Sequence, residues 1–415
     1  MTDTKGLPVV SQSPRDPLFV QDVYSTYARW HRDNPVFYWR EYGLVAFAGY
    51  AAVDALLRDR RFGRQILHVA TREELGWPER PAHLSNFDHV ERYSLLELEP
   101  PAHTKLRRLV TKAFVSRQVE TLRPQIRQTC EATLATLEKQ GEAELLTTYA
   151  MQVPLITICN LLGVSISHGQ QLLDWSHAIV RMYVLDPTIH EQHAADDAAR
   201  AFADFLRAEI ARKRKEPSDD LLSALIAVES QGDTLTIDEL VSTCVVLLNA
   251  GHEATVHQFG NAIRTLLGVE VAMADPAKHF ETVEATAATV EELVRFDAPL
   301  HMFTRYALDD VTLDVDGVSV SFRKGEQIAL LLGAANRDPN AFVDVDAFLP
   351  DRDGQKNVTF GAGIHFCIGA PLARIELQEM LAILFARFPT LRLANEPRYG
   401  DVYHFHGLER LDVIW

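Results

Sequence analysis

The segment Phe360-Gly361-Ala362-Gly363-Ile364-His365-Phe366-Cys367-Ile368-Gly369-Ala370-Pro371 gathers glycines, a histidine and a cysteine just ahead of a helix start. Glycines this close to one cysteine imply a tight loop with unusual backbone angles. Pro371 then opens a helix whose apolar periodicity runs to about Phe388. A cysteine at that place sits near free backbone N–H groups and the positive end of the helix dipole, which favour a thiolate, the form that ligates a metal. Taken alone, the same residue reads equally as a structural cysteine in a glycine-rich turn.

Three further groups carry chemistry. Ala250-Gly251-His252-Glu253-Ala254-Thr255 places a glycine, an acid and an alcohol inside a long apolar run. A mid-helix glycine costs about 1 kcal/mol relative to alanine and needs a reason. Leu247, Ala250, Gly251 and Ala254 share one face, forming a shallow depression of small side chains suited to a flat cofactor or to close helix packing. In Glu99-Pro100-Pro101-Ala102-His103-Thr104-Lys105-Leu106-Arg107-Arg108, His103 and Arg107 fall within roughly 40° of each other on a helical wheel, beside Leu106, Val110 and Phe114. Lys105, Arg108 and Lys112 form a basic island on the opposite side. Glu292 and Arg295 are three apart, so they share a helix face, where such pairs are usually surface decoration.

The elements that must position these groups are mainly helical. Apolar residues recur every three or four positions over 120–145 and 195–230. Thr236 and Glu239 form a capping box that opens a helix running to about residue 268, roughly 45 Å long, whose first half is apolar almost all round and belongs in the core. Asp275-Pro276 opens another helix, which ends before Pro299. Strand-like runs are short: Leu44–Phe47, Val311–Val320 and Gln327–Leu332. Few strands among many helices indicate a mainly α (α+β) single domain over 18–415, after a disordered lead-in over 1–17.

Composition narrows the function. The chain has 415 residues, 47% of them apolar, and a net charge of −16 from 57 acidic and 41 basic side chains. That balance excludes nucleic acid as a partner. No apolar run spans a membrane and no signal pattern opens the chain, so a cytoplasmic monomer is expected. Cys130, Cys159, Cys244 and Cys367 are far apart, which excludes zinc-ribbon and iron–sulfur spacings.

The Phe-Gly-x-Gly-x-His-x-Cys-x-Gly pattern from Phe360 to Gly369 resembles the haem-ligand loop of the cytochrome P450 family, and Glu292-Leu293-Val294-Arg295 resembles its Glu-x-x-Arg helix. The likeness runs from about residue 95 to the C-terminus; residues 70–94, where the family caps its substrate, carry no matching motif. It implies the triangular family fold with a long central helix and small sheets. It implies haem b held by Cys367, with Phe360 and Gly369 around the sulfur, His103, Arg107, Arg305 and His365 near the propionates, and Ala250 and Gly251 against the ring. Arg352 joins Glu292 and Arg295 in a folding network. Leu247, Ala254, Leu300, Met302, Phe303 and Phe405 line the cavity. Trp77, Phe87, Tyr93, Trp175, Met182 and Tyr183 lie in covering segments, and Arg80 and Arg92 are surface charges.

The implied activity is insertion of one atom of O2 into a small apolar, possibly aromatic, substrate. Electrons come from a separate ferredoxin or flavodoxin fed by an NAD(P)H-dependent reductase, and the basic island is the expected docking place. The family's acid–alcohol pair maps to Glu253 as the acid, but its alcohol position is Ala254, with Thr255 about 100° further round the helix. That departure keeps a peroxide-driven enzyme and a non-catalytic haem sensor open as alternatives. Cys367 as a covalent nucleophile is disfavoured, because no base stands at a suitable spacing.

Overall fold

The computed structural model describes residues 5–116, 119–268, 275–315 and 317–415. Its axis is the helix Ile237–Leu267, where the Thr236 side chain accepts from the Glu239 N–H and the Glu239 carboxylate accepts from the Thr236 N–H. Residues Leu240 to Asn249 are all buried, so the all-round apolar first half is the centre of the molecule. Around it pack Gln152–Leu162, Gly169–Val180, Ile189–Lys215, Val283–Phe296 and Ala370–Arg387.

A six-stranded sheet stands beside the helices in the order Val9–Val10, Val36–Trp39, Leu44–Phe47, Gln327–Leu330, Phe303–Ala307 and Phe62–Gly63. The expected run over 311–320 is a hairpin, Val311–Val315 against Val318–Phe322. The described part of the lead-in is not disordered. Val9 and Val10 pair in parallel with Tyr38 and Trp39, the buried Trp39 indole donates to the Gln12 carbonyl at 2.7 Å, and Asp16 caps the helix Pro17–Gln21. An edge strand and one indole N–H order this segment, and neither leaves a local sequence signal.

Two helix boundaries also differ from expectation. Asp275-Pro276 starts only a short 3-10 turn, Pro276–Phe280, and the helix proper begins at Val283 with Thr282 as its cap. The segment 120–145 holds the helix Arg123–Ala135 and then a strand, Glu142–Glu144, recruited by the C-terminal strand Asp412–Ile414.

The pair Glu292 and Arg295 is buried, not surface decoration. Both Glu292 oxygens accept from Arg295 at 2.8 Å. Arg352 Nε lies 3.2 Å from Oε1, and the Leu349 N–H donates to the same oxygen at 3.0 Å. Arg295 also donates to the Asn336 carbonyl at 2.9 Å, and the Asn336 side chain grips Val358 N and Thr359 Oγ1 at 2.8 and 2.7 Å. Thr359 directly precedes the cysteine loop. Removing one member of a buried charge network costs about 3–5 kcal/mol, because the partners stay desolvated. Glu292→Ala should lower the urea unfolding free energy by about that amount, whereas Asp33→Ala, in an exposed pair with Arg32, should cost no more than about 1 kcal/mol.

Candidate functional site

The cysteine loop is shaped by two glycines at positive φ. Gly361 and Gly363 both sit at +69°, and a Cβ on Gly363 would lie 2.6 Å from the Leu57 carbonyl oxygen, so no other residue fits there. The Cys367 N–H donates to the Phe360 carbonyl at 3.0 Å, closing the loop. Ala370–Arg387 follows at once, with Pro371 in its first turn. The thiol is pushed up by burial; the Gly369 N–H, Arg107, the Ala370 N–H and Arg374 oppose this without reversing it. The expected thiolate-stabilising groups are therefore present, but desolvation outweighs them, and a bound metal ion has to displace the proton. Burial alone holds Cys159 at about 11; burial with the Asp220 charge holds Cys244 at about 12, and burial outweighs a Tyr149 hydrogen bond to hold Cys130 at about 12. Those three are sealed in the core, whereas Cys367 is accessible.

Facing this loop is a set of basic side chains, two of which are buried with little to bind. His103 is 2% exposed and its Nε2 has no hydrogen-bond partner. Burial, then His365 and Arg107, hold it down at about 4. Arg305 is equally buried, donates to the Thr304 carbonyl at 2.9 Å and has no carboxylate partner among the described residues. Burial and the neighbouring Arg64 bring it down to about 9. Arg107 donates to the Phe366 carbonyl at 2.7 Å. His365 stands 4.5 Å from His103 ring to ring, and its Nε2 lies 3.2 Å from Glu99 Oε1. Phe360 packs under the Arg374 guanidinium at 4.5 Å.

On the central helix, Ala250 and Gly251 are exposed although nearly every residue before them is buried. A Cβ on Gly251 would meet nothing within 4 Å. The glycine therefore serves an open face and not a tight helix crossing. Leu247 is buried and Ala254 half-buried along the same side. Leu300 and Phe405 are joined by an isolated antiparallel bridge, and Phe303 lies 3.3 Å from where a Gly361 Cβ would stand. Met302 is a correction. It is buried among Phe19, Val23, Tyr27 and Trp30 on the far side of the sheet, because alternation along an extended segment turns it away from Phe303.

The Thr255 hydroxyl donates to the Gly251 carbonyl at 3.1 Å, one turn back, so it is not offered to the site. Glu253 is different. Its Oε2 is buried without a partner, and its Oε1 is 3.8 Å from His257 Nε2. Burial pushes this carboxyl up, but the neighbouring His257, with His177 and His252, brings it below the usual range. His252 itself is turned to the Met151 carbonyl at 3.0 Å. His257 was not foreseen; its position one turn from Glu253 was the available signal.

The basic island is not free. Lys105 pairs with Glu239 at 2.9 Å, Arg108 with Asp233 at 2.5 Å, and Lys112 donates to the Glu229 carbonyl at 2.7 Å. Arg108 and Lys112 hold the Glu229–Thr234 hairpin, and Lys105 the first turn of the central helix, to the helix Ala102–Ser116, so much of the island's charge is spent inside the chain. Of the covering residues, Trp77 rests on Tyr306, Tyr93 on His89, and Trp175 on Phe202, while Phe87 and Met182 belong to the helical core. The Tyr183 hydroxyl donates to Glu91 at 3.0 Å, and burial with the nearby Glu97 charge raises Glu91 to about 8. Arg80 is tied to Asp88.

A planar tetrapyrrole with two carboxylates fits these residues. The accessible sulfur, the open Ala250–Gly251 face, the orphaned His103 nitrogen and the unpaired Arg305 supply an axial ligand, a flat wall and anion partners.

The comparisons with known proteins agree. Residues 65–397 match the family model described as Cytochrome P450. Cytochrome P450 107B1 of Saccharopolyspora erythraea is 36% identical, over 96% of each chain, and the 6-deoxyerythronolide B hydroxylase of the same organism is 35% identical, over 96% of this chain and 93% of that one. Among solved structures, P450BioI in complex with a hexadec-9Z-enoic acid-ligated acyl carrier protein superposes with a TM-score of 0.86 at 30% identity, covering 96% of this chain and 100% of that one. Among the described residues no helix is long and apolar enough to cross a membrane. The chain thus belongs to the cytochrome P450 family and is a haem b monooxygenase.

Proposed function

We propose that Cys367 is the axial ligand of the haem iron, that His103, Arg107, Arg305 and His365 receive the propionates, and that an apolar substrate lies over Leu247, Ala250, Gly251 and Ala254, walled by Leu300, Phe303 and Phe405. The observation that carries this reading is the exposed Cys367 beside a buried Arg305 without a carboxylate and a buried His103 whose Nε2 has no hydrogen-bond partner among the described residues. When bound, a thiolate-ligated haem supplies the activation of O2 and oxidation of a C–H bond, and the chain supplies the ligand, the cavity and the protons. The relatives support an apolar substrate: one is named for hydroxylating 6-deoxyerythronolide B, another for mycinamicin IV, and a structural neighbour holds a fatty acyl chain on its carrier. Electrons come from a separate ferredoxin or flavodoxin. Residues 1–17 precede, and 18–415 form, the haem-binding unit.

Glu253 is the proton-delivering group, since it is the acid that adjoins the open face in sequence, its Oε2 has no hydrogen-bond partner among the described residues, and Thr255 is folded back on its own helix. A peroxide-driven reaction is the second reading, favoured by that missing hydroxyl; it predicts turnover with peroxide and little with NADH and ferredoxin.

Reduced protein with carbon monoxide should show the red-shifted Soret band of thiolate-ligated haem. Cys367→Ser should abolish it, while replacement of Cys130, Cys159 or Cys244 should leave it; loss of the band with any of those three would refute the assignment.

Product formed per NADH consumed should separate the proton routes. Glu253→Gln should lose about a hundredfold or more in rate, the range expected of a positioned acid or base. Thr255→Ala should change little, and Ala254→Thr should couple equally or better. Because Glu253 is held below its ordinary range, its ionised form is present at neutral pH and is lost as pH falls through the folded value. Coupling in the parent should therefore fall on acidification, and Glu253→Gln should be flat over the same window.

A further inference from the structure

Next to the Leu300–Phe405 bridge in sequence, three buried side chains converge. Asp297 follows the last turn of Val283–Phe296, His301 leads into the strand Phe303–Ala307, and His406 lies in the C-terminal turn. Their ligand atoms all lie within 4.8 Å of one another, and none of the three is more than 2% exposed. His406 Nε2 is 3.3 Å from Asp297 Oδ1, yet the two do not form a hydrogen bond. Among the described residues both His406 nitrogens and His301 Nε2 have no hydrogen-bond partner, the Asp297 contact of His406 Nε2 apart. Each unmet buried polar group costs about 1–3 kcal/mol, so three around one carboxylate require an explanation.

The surroundings prepare these atoms to bind something positive. The Tyr24 and Tyr399 hydroxyls donate to the two Asp297 oxygens at 2.8 and 2.5 Å. The Tyr27 hydroxyl donates to Tyr403 at 2.9 Å, so its oxygen is free to accept from His301 Nδ1 at 2.5 Å. That leaves a lone pair on His301 Nε2. The two imidazole rings are 4.3 Å apart, and Tyr399 stacks on His406 at 3.8 Å. On the central helix, Gln258 and Asn261 donate to the backbone carbonyls of Asp297 and His406 and hold the same two segments.

We propose that Asp297, His301 and His406 form a binding site for a divalent transition metal, zinc being the ion that best fits two neutral imidazoles and one carboxylate. The donor set matches that of zinc sites, and the tyrosines are the outer partners that orient such ligands. The ion would staple the end of the Glu292 helix, the Leu300 segment and the C-terminal turn, and so fix two walls of the cavity. It is separate from the haem iron and does not rest on the Cys367 assignment.

The test is zinc content of the holoenzyme, equilibrated with micromolar zinc and then passed over a chelating resin. About one zinc per chain is expected, falling to background in His301→Gln and in His406→Gln, and unchanged in Cys367→Ser. X-ray absorption at the zinc edge of the parent, which haem iron does not obscure, should show imidazole and oxygen ligands and no sulfur, so the proposal stays testable if the variants fail to fold. Zinc far below one per chain, zinc retained in both histidine variants, or a sulfur ligand would overturn it. So would a crystal structure of the zinc-equilibrated protein with only water between the three side chains.

Discussion

Glu292 accepts five hydrogen-bonding contacts inside the protein, from two arginines and one backbone N–H. A buried carboxylate is tolerable only when its oxygens are fully used. That requirement draws Arg352 and the Leu349 backbone onto the helix that carries Arg295. Arg295 then reaches Asn336, and Asn336 holds Val358 and Thr359. The cysteine loop begins at the next residue. Three stretches distant in sequence are thus locked by one charge that cannot be left unpaired, and Cys367 is presented from a fixed frame.

The site is built from unmet needs. Arg305 and His103 are buried without an anion, and the Cys367 thiol is held up by the same burial. A ligand that brings carboxylates and a metal satisfies all of these at once, so binding energy comes from costs the fold has already carried. The central helix contributes by omission: Ala250 and Gly251 leave an open face in an otherwise closed core. The same economy sets the chemistry of that face. A hydroxyl at 254 would point into it, but the hydroxyl at 255 finds the carbonyl of Gly251 and stays there. Glu253 alone remains, with its charge kept by His257, His177 and His252.

The segment 297–303 works on two sides. Leu300 and Phe303 turn towards the haem-binding loop and the C-terminal turn, while Asp297, His301 and Met302 turn into a tyrosine-rich core. One extended stretch therefore couples the cavity wall to a polar cluster that local sequence treats as unrelated.

The sequence by itself determined the central helix and its capping box, because both depend on contacts within four residues, and it determined the cysteine loop, because glycine, proline and cysteine restrict the backbone locally. It marked Glu253 and set Thr255 about 100° away from the position of the missing alcohol, since 100° per residue is a property of any helix, but it still offered Thr255 as a catalytic alcohol, which the bond to the Gly251 carbonyl withdraws. What it left undecided was burial. Glu292 and Arg295 look the same on paper whether solvated or sealed, and only the arrival of Arg352 and Asn336 settles which. Arg108 and Lys112 look like a free basic patch until the Glu229–Thr234 hairpin folds onto them. Met302 shares its apolar character with Phe303, and only sheet pairing sends them to opposite sides. Desolvation and long-range pairing depend on neighbours brought from elsewhere in the chain, so the tertiary structure alone decided that the Cys367 thiol is held protonated, that residues 9 and 10 join the sheet, and that Asp297, His301 and His406 meet.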